Sequence, residues 1–444
     1  MIDRFTAGKL CRTDELREIA GRVKSPYLML EMSGYDVGLG KYSEKRFTDI
    51  ILGTGAAMVY SDYVTVGDRG TAPHPVIDYQ QGSLRDDFDF GAVMVVNSGM
   101  FREAVEGMDH DYKYAALYDL RLRLSRQGDI RRIPEYLYSV LETDRRLSGE
   151  KQFDYVDPRN REVQIEMEHA CTAHLKAIGG WLAPEFEDID LHDGNFPVEC
   201  SVVIPVKDRA GTVADAIYSV LDQRTEKPFN VIIVDNHSTD GTTEIIKSMA
   251  AGDPRIVHII PERKDLGIGG CWNEAVLDSR CGRFAVQLDS DDLYIDNKVL
   301  RKIADKFYEE RCAMVVGSYR MVNFSLEEIP PGVIDHREWT PDNGLNNALR
   351  INGLGAPRAF YTPVIREILF PNVSYGEDYA AALAVSRRYK IGRIYDPLYL
   401  CRRWEGNSDA ALSVERVNAN NFFKDNIRTV ELAARQRINR NGSK

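Results

Sequence analysis

The sequence predicts an α/β protein whose mostly parallel sheet carries helices on both faces, and it predicts this architecture twice, once complete and once cut short. Three observations carry the expectation. Between residues 199 and 300, short β-branched runs alternate with helical spacings. Three stretches of the first 150 residues repeat stretches of the second half in the same order. The segment GRFAVQLDSDD (282–292) runs from a buried-looking strand straight into Asp289, Asp291 and Asp292, whereas its counterpart SPYLMLEMSGYD (25–36) has Met32 and Gly34 where the first two acids would stand.

Composition sets the outer limits. A chain of 444 residues is too long for one ordinary core, so two domains are expected. Hydrophobic residues at 43% and charged residues at 28% place it among soluble globular proteins. A formal net charge of −11 argues against nucleic acid as the main partner, because phosphate backbones recruit basic surfaces. The seven cysteines are scattered without a CxxC pair, which fits reduced thiols better than a disulfide frame or a zinc site. The N-terminus has no apolar signal region and no run approaches a membrane span. A cytoplasmic protein is expected, with peripheral membrane association and homo-oligomerisation left open.

In the second half the elements follow in order. CSVVIPV is an apolar strand stopping at Pro205; GTVADAIYSVL places Val213, Ala216, Ile217, Val220 and Leu221 at helical intervals behind Thr212 as N-cap. NVIIVD is the next buried strand and STDGTTEIIKSMA the next helix; RIVHII and RFAVQLD are further strands, with GIGGCWNEAVLDS between them. Ligands of such sheets bind beyond the carboxyl ends of the strands, so the residues after SVVIP, VIIVD and AVQLD should share one crevice.

In the first half, SPYLMLEMSGYD aligns with GRFAVQLDSDD, GAAMVYSDY with RCAMVVGSY, and IRRIPEYLY with IGRIYDPLY. The first copy is expected to begin near the equivalent of HIIPERKD, lacking the two opening strand–helix units; a merely similar packing unit is the alternative. The expected domains are therefore a truncated, inactive copy at 1–150, a helical and acidic linker at 151–198, a complete domain at 199–410 and a C-terminal helical tail at 411–444.

Residues two apart on a strand face the same way, so Asp289 and Asp291 can reach one point in the crevice. One or two carboxylates with substrate phosphates is how Mg²⁺ is typically held, and such an ion neutralises a departing diphosphate. The plainer reading is an acidic turn capping the following helix.

The ordered set SVVIPVKDRAGTVADAIYSVLDQ, VIIVDNHSTDGT, a glycine-bearing loop with Asn273, and QLDSDD resembles the nucleotide-sugar-binding half of the inverting family-two glycosyltransferases, which have the GT-A fold. FPNVSYGEDYAAAL is similar to that family's acceptor-side ED element. The resemblance covers residues 199 to 410 and reaches 1 to 150 only through the repeat, as an incomplete GT-A-like domain. It implies a metal-dependent transferase moving a sugar from a nucleotide-diphosphate sugar, UDP-sugars first among them, to a glycan, lipid-linked or small-molecule acceptor. Pro205, Val206 and Asp208 would hold base and ribose, and Asp235 and Asn236 would pair with the nucleobase. Asp289 would face ribose and metal, and Asp291 would bind Mn²⁺ or Mg²⁺ directly. Asp378, or in second place Glu377, would be the general base. Arg358 is a further candidate for donor or acceptor contact.

Relatives place a histidine late in the domain as a metal ligand, whereas this chain has none after His336 and reads YLCRRWEGNSDAAL there. Water or the nucleotide would complete the shell; Arg402 and Arg403 would neutralise diphosphate, and Trp404 would stack on a sugar. Leu400 stands where the QxxRW element of processive relatives has Gln, so single-sugar addition is expected. GIGG (267–270) does not follow the first strand of a βαβ unit and is no dinucleotide fingerprint. DYQQGSLRDDFDFG (78–91) is a surface loop, with acceptor or subunit binding as its functional reading. The competing functions are a non-catalytic sugar-nucleotide scaffold and a sugar nucleotidyltransferase; the second lacks the glycine-rich loop that cradles a triphosphate.

Overall fold

The computed structural model describes residues 2–67, 70–141, 161–404 and 412–442. It forms two compact units, one of Met1–Leu182, Leu349–Asn352 and Ala411–Lys444, the other of Ala183–Ala348 and Gly353–Ala410. The division falls inside the segment expected to link two domains, whose residues 151–160 lie outside the described residues, as do 405–411 ahead of the tail. The C-terminal helix Val414–Gly442 belongs to the first unit.

The second unit is built on strands β8 (Cys200–Val206), β9 (Phe229–Asp235), β10 (Ile256–Ile259), β11 (Phe284–Gln287), β12 (Leu293–Tyr294), β13 (Met314–Asn323), β14 (Glu328–Ile334), β15 (Arg358–Tyr361) and β16 (Ile391–Arg403). Among the described residues they form a nine-stranded sheet in the order β10-β9-β8-β11-β15-β13-β16-β12, with β14 on β13. Strand β9 is buried at every residue and β8 at all but Pro205, as near-continuous β-branched runs with helices between them require. β10, β9, β8 and β11 run parallel, but β15 enters antiparallel between β11 and β13. The sheet is thus mixed rather than mostly parallel. The reversal puts Arg358, the first residue of β15, beside Gln287 at the carboxyl end of β11, where its backbone N–H donates to the Gln287 side chain at 3.2 Å.

The first unit contains β1 (Ile2–Ala7), β2 (Tyr27–Met32), β3 (Val37–Leu39), β4 (Met58–Gly67), β5 (Gly70–His74), β6 (Val93–Asn97) and β7 (Ile130–Leu141), ordered β1-β2-β6-β4-β7-β3 with β5 on β4. That order is the second sheet's β8-β11-β15-β13-β16-β12 repeated, and the register agrees residue by residue. Met58 faces Ile130 as Met314 faces Ile391, and after an irregularity at the same place Tyr63 faces Tyr138 as Tyr319 faces Tyr399. Val96 lies between Leu28 and Met58 as Phe360 lies between Ala285 and Met314. The expected starting point needs correction. β1 pairs in parallel with β2 as β8 does with β11, so it occupies the place of β8, and the missing strands are the outer ones, β9 and β10.

The register also shows what the first copy has lost. Met32, Gly34 and Tyr35 stand where Asp289, Asp291 and Asp292 stand, and Met94 replaces Arg358. Counting back from the matched strands β7 and β16, Ala116 and Leu117 open the helix that Glu377 and Asp378 open in the second copy.

In place of that chemistry the first unit holds a buried polar network. Arg350, with no exposed side-chain surface, donates to Asp86 Oδ2 and Gln164 Oε1, both at 2.7 Å. Arg428 reaches the Ile351 carbonyl at 3.0 Å and Asn352 Oδ1 at 2.7 Å, and pairs with the buried Asp425 at 2.9 Å. Ser83 donates to the same aspartate at 2.9 Å. Removing one partner strands a buried charge. We expect Arg350→Ala to cost about 3–5 kcal/mol in chemical denaturation of the intact chain, and a double change, Arg350→Met with Asp86→Leu, to recover much of it.

Candidate active site

The acidic turn after β11 is held by its own backbone and by β16. Asp292 N–H returns to the Asp289 carbonyl at 3.2 Å, and the Asp289 N–H donates to the Tyr399 hydroxyl at 3.0 Å. Gln287 Nε2 donates to Asp289 Oδ1 at 3.0 Å. Asp292 is buried and accepts the Arg402 N–H at 2.8 Å, and the Arg402 guanidinium bonds the Asp291 carbonyl and Asp215 at 3.1 Å. Asp292 and Arg402 therefore build the turn, and Arg402 is spent as a brace rather than pointing at a diphosphate. Asp291 receives the Trp404 indole N–H at 3.3 Å and has Arg209 at 3.9 Å. Trp404, expected as a sugar platform, sits on a carboxylate.

The second acidic pair arrives on the helix Glu377–Ser386. The GIGG glycines position it. A Cβ on Gly267 would lie 2.5 Å from the Val373 backbone and one on Gly269 would lie 2.0 Å from the Pro371 carbonyl, so only glycine lets the helix Ile268–Leu277 meet the 371–373 loop. Asn372 Oδ1 accepts the Gly267 N–H at 2.8 Å, and the Gly269 N–H donates to the Val373 carbonyl at 2.9 Å. Asn273 closes the same joint, donating to the Phe370 carbonyl at 2.8 Å and accepting its N–H at 2.9 Å. Each end of the Asn273 amide, expected to contact a nucleotide sugar, makes one bond to backbone.

Arg358 ties the two acid groups together. It pairs with Asp378 Oδ2 at 2.6 Å, and the charges of Asp378, Asp289 and Glu377 hold its guanidinium above its ordinary value despite burial. Burial pushes Asp289 up, against the pull of Arg358, and burial with the charges of Asp289 and Asp291 holds Asp292 well above the usual carboxylate range. Burial, then the neighbouring Asp378, raises Glu377 to about 8; its Oε2 is buried without a hydrogen-bond partner.

At the ends of β8 and β9, Asp208 takes φ 52° and accepts the Thr239 N–H at 2.7 Å, while Pro205 and Val206 line up beside Val234 and Asp235. Asp235 is completely buried; its oxygens accept from Ser238 N–H at 3.0 Å and Thr243 Oγ1 at 2.5 Å. Burial alone would raise it, but these bonds keep it below its ordinary value. Asp235 thus shapes the turn instead of reaching a base, which corrects its expected role. Asn236 donates to the Leu266 carbonyl at 2.8 Å and keeps its buried Oδ1 without a partner. Arg403 lies opposite Asn323 at the end of β16. Of the residues the sequence missed, Tyr399 carried a signal, since the repeat aligns it with Tyr138; Gln287, Arg209 and Arg402 as brace carried none.

Residues 201–367 match the family model described as Glycosyl transferase family 2. Apart from Leu349–Asn352, that stretch lies inside the second unit. A Rickettsia felis protein described as an uncharacterized glycosyltransferase is 30% identical over 46% of this chain and 32% of its own length. The putative teichuronic acid biosynthesis glycosyltransferase TuaG of Bacillus subtilis is 30% identical over 34% of this chain and 58% of its own. This chain therefore spans between a third and three-fifths of these relatives. A solved structure of S. aureus TarS with UDP-GlcNAc is similar at 22% identity and TM-score 0.41, over 53% of this chain and 72% of that one.

Among the described residues no three His, Cys, Asp or Glu side chains converge as a metal cage. Asp289 and Asp291 are two carboxylates with oxygen donors and an excess of negative charge around them, which fits a hard cation completed by ligand phosphates. No helix among the described residues is long and apolar enough to cross a membrane.

A raised carboxyl binds a proton in the folded chain that the unfolded chain has already lost, so its contribution is full at pH 4 and is lost as pH climbs through 8. Glu377→Gln is expected to flatten the fall in stability of the metal-free protein between about pH 5 and 9, with a gain on the order of a few kcal/mol at the alkaline end. Denaturation curves across that range check it; equal slopes for both proteins would show Glu377 to be ionised throughout.

Proposed function

We propose that this chain is an inverting, metal-assisted glycosyltransferase that moves a sugar from a nucleotide-diphosphate sugar to an acceptor hydroxyl in glycan or polysaccharide assembly. The observation that carries the proposal is the meeting of Asp289 and the Glu377–Asp378 pair around Arg358, with Asp291 on the same turn as Asp289, in a stretch matching the family-two model.

Asp289 and Asp291 would hold Mn²⁺ or Mg²⁺ together with the donor diphosphate, and the ion supplies charge neutralisation to the leaving group. The role of base falls to Asp378. Burial, then the neighbouring Asp378, raises Glu377 to about 8, which disfavours it as a proton acceptor at neutral pH and keeps it in second place. Arg358 holds Asp378 Oδ2 and so fixes the carboxylate's orientation. Attack opposite the departing diphosphate inverts the anomeric carbon. No second protein acid is needed on the leaving oxygen, unlike glycoside hydrolysis.

The orphaned Asn236 Oδ1 is an acceptor and favours a nucleobase that presents an N–H there, while one of its two Nδ2 hydrogens goes to the Leu266 carbonyl. Uracil, thymine and guanine carry such a group; cytosine and adenine present a bare ring nitrogen. A UDP-sugar is the preferred donor, and TarS, which is similar in fold, was solved with UDP-GlcNAc. Pro205, Val206 and Asp208 would complete the base and ribose site, with Arg403 near the diphosphate. The first unit, stripped of the corresponding acids, would have no transfer chemistry of its own. A cytoplasmic location remains part of the proposal, with homo-oligomerisation left open.

Calorimetric titration with UDP, GDP and dTDP, with and without Mn²⁺, is expected to show metal-dependent binding of UDP that Asp291→Asn abolishes. Asp378→Asn should leave that binding unchanged and lower kcat about 10²–10⁴-fold. Near-normal turnover in Asp378→Asn would remove it as the base, and absence of any nucleotide binding would leave the non-catalytic scaffold.

A further inference from the structure

The first copy did not simply lose its acids; new polar and aromatic groups took their surroundings. Tyr35 replaces Asp292, His74 replaces Ile334 and, counted from the matched Met94 and Arg358, Asp89 replaces Gly353. Gly91 and Gly355, two residues on, share a left-handed φ of 73° and 104°, so the backbone route is conserved between copies while the side chains differ.

These residues form one assembly. The His74 ring stacks on Tyr63 at 4.3 Å and 20°, and Tyr63 stacks on Tyr138 at 5.4 Å and 13°. Asp89 Oδ2 meets His74 Nε2 at 3.0 Å and the Tyr63 hydroxyl at 3.5 Å, and Oδ1 accepts the Gly91 N–H at 2.8 Å. Tyr35, just ahead of the strand that pairs with β7, is 51% exposed, and after burial, Asp89 and Tyr138 it adds to what pushes Tyr63 up. The Cys11 backbone, with its side chain 1% exposed, pairs in parallel with that of Ala115 just ahead of the helix whose counterpart carries the acids in the second copy.

We propose that the first unit binds an uncharged oligosaccharide, with a sugar ring on Tyr35 and its hydroxyls read by the His74–Asp89 pair. A sugar ring offers an apolar C–H face to an aromatic side chain and a rim of hydroxyls to fixed acceptors and donors. A diphosphate fits poorly, because it would face Asp89 without the Arg358 counterpart, which is Met94 here. Under the transferase reading the ligand is the glycan acceptor, and that extension rests on the reading; the binding itself does not.

The test is saturation-transfer NMR on the full chain with cellotetraose, maltotetraose and chitotetraose at millimolar concentration. At least one should receive transfer, weakened about fivefold or more in both Tyr35→Ala and His74→Ala, and unchanged in Asp291→Asn. Tyr35 is exposed, so its variant keeps the fold. No transfer to any probe, transfer indifferent to both first-unit variants, or transfer lost in Asp291→Asn would overturn the proposal. UDP titration on the same samples separates the two readings: saccharide binding without UDP binding would sink the transferase and leave this site standing.

Discussion

One guanidinium governs the chemistry of the second unit. Arg358 stands among Asp289, Glu377 and Asp378, with Asp291 and Asp292 acting on Asp289 from the same turn. Five carboxyl groups with so few cations among them disfavour full ionisation in a partly desolvated crevice: burial pushes Asp289, Asp292 and Glu377 towards their neutral forms while Asp378 is ion-paired. An arrangement kept only for stability would replace such groups with apolar ones, because charged clusters of this kind are weak stabilisers. Excess negative charge at the mouth of a sheet fits a site designed to receive a cation and a phosphate-bearing ligand.

The first unit is the internal control for that interpretation. It repeats the strand order, the register and even the irregularity between its two long parallel strands, yet Met32, Gly34, Tyr35, Met94, Ala116 and Leu117 occupy the six charged positions. The acids, the arginine and the ED pair disappeared together. Residues whose purpose was to cap helices or close turns would have no reason to be lost as a set, since the turn and the helix are both still present. Correlated loss points to one shared task.

Much of this was open to sequence reasoning because it is carried by short-range pattern. Buried strands such as NVIIVD announce themselves as continuous β-branched runs, and the repeat survived in three collinear apolar segments. What sequence reasoning misjudged depends on contacts between distant residues. Asp235 and Asn273 sit at loop positions that look suited to ligand contact, but whether their side chains turn inward is decided by Ser238, Thr243 and the Phe370 backbone. The place of β1 was misjudged for a related reason: only pairing with β2 distinguishes a strand that replaces β8 from one that replaces β10. GIGG was correctly set aside as a dinucleotide motif, but its real use, close approach to residues 371–373, could not be seen without the partner loop.

That close approach explains how the ED pair can be both exact in position and chemically divided. The 371–373 loop is locked to the helix Ile268–Leu277 by the bonds of Asn372, Gly269 and Asn273, and the next helix begins four residues later. With its entry fixed, successive residues Glu377 and Asp378 must point about 100° apart around the helix. The Glu377 side chain consequently leaves the helix beside Gly269, its own Cβ 2.9 Å from where a Cβ on that glycine would sit, and the Asp378 carboxyl meets Arg358. Burial keeps the first protonated and the ion pair orients the second, so two adjacent acids acquire different protonation tendencies from geometry alone. A flexible loop at 371–373 would let both sample both environments, and the distinction on which a single proposed base depends would be lost.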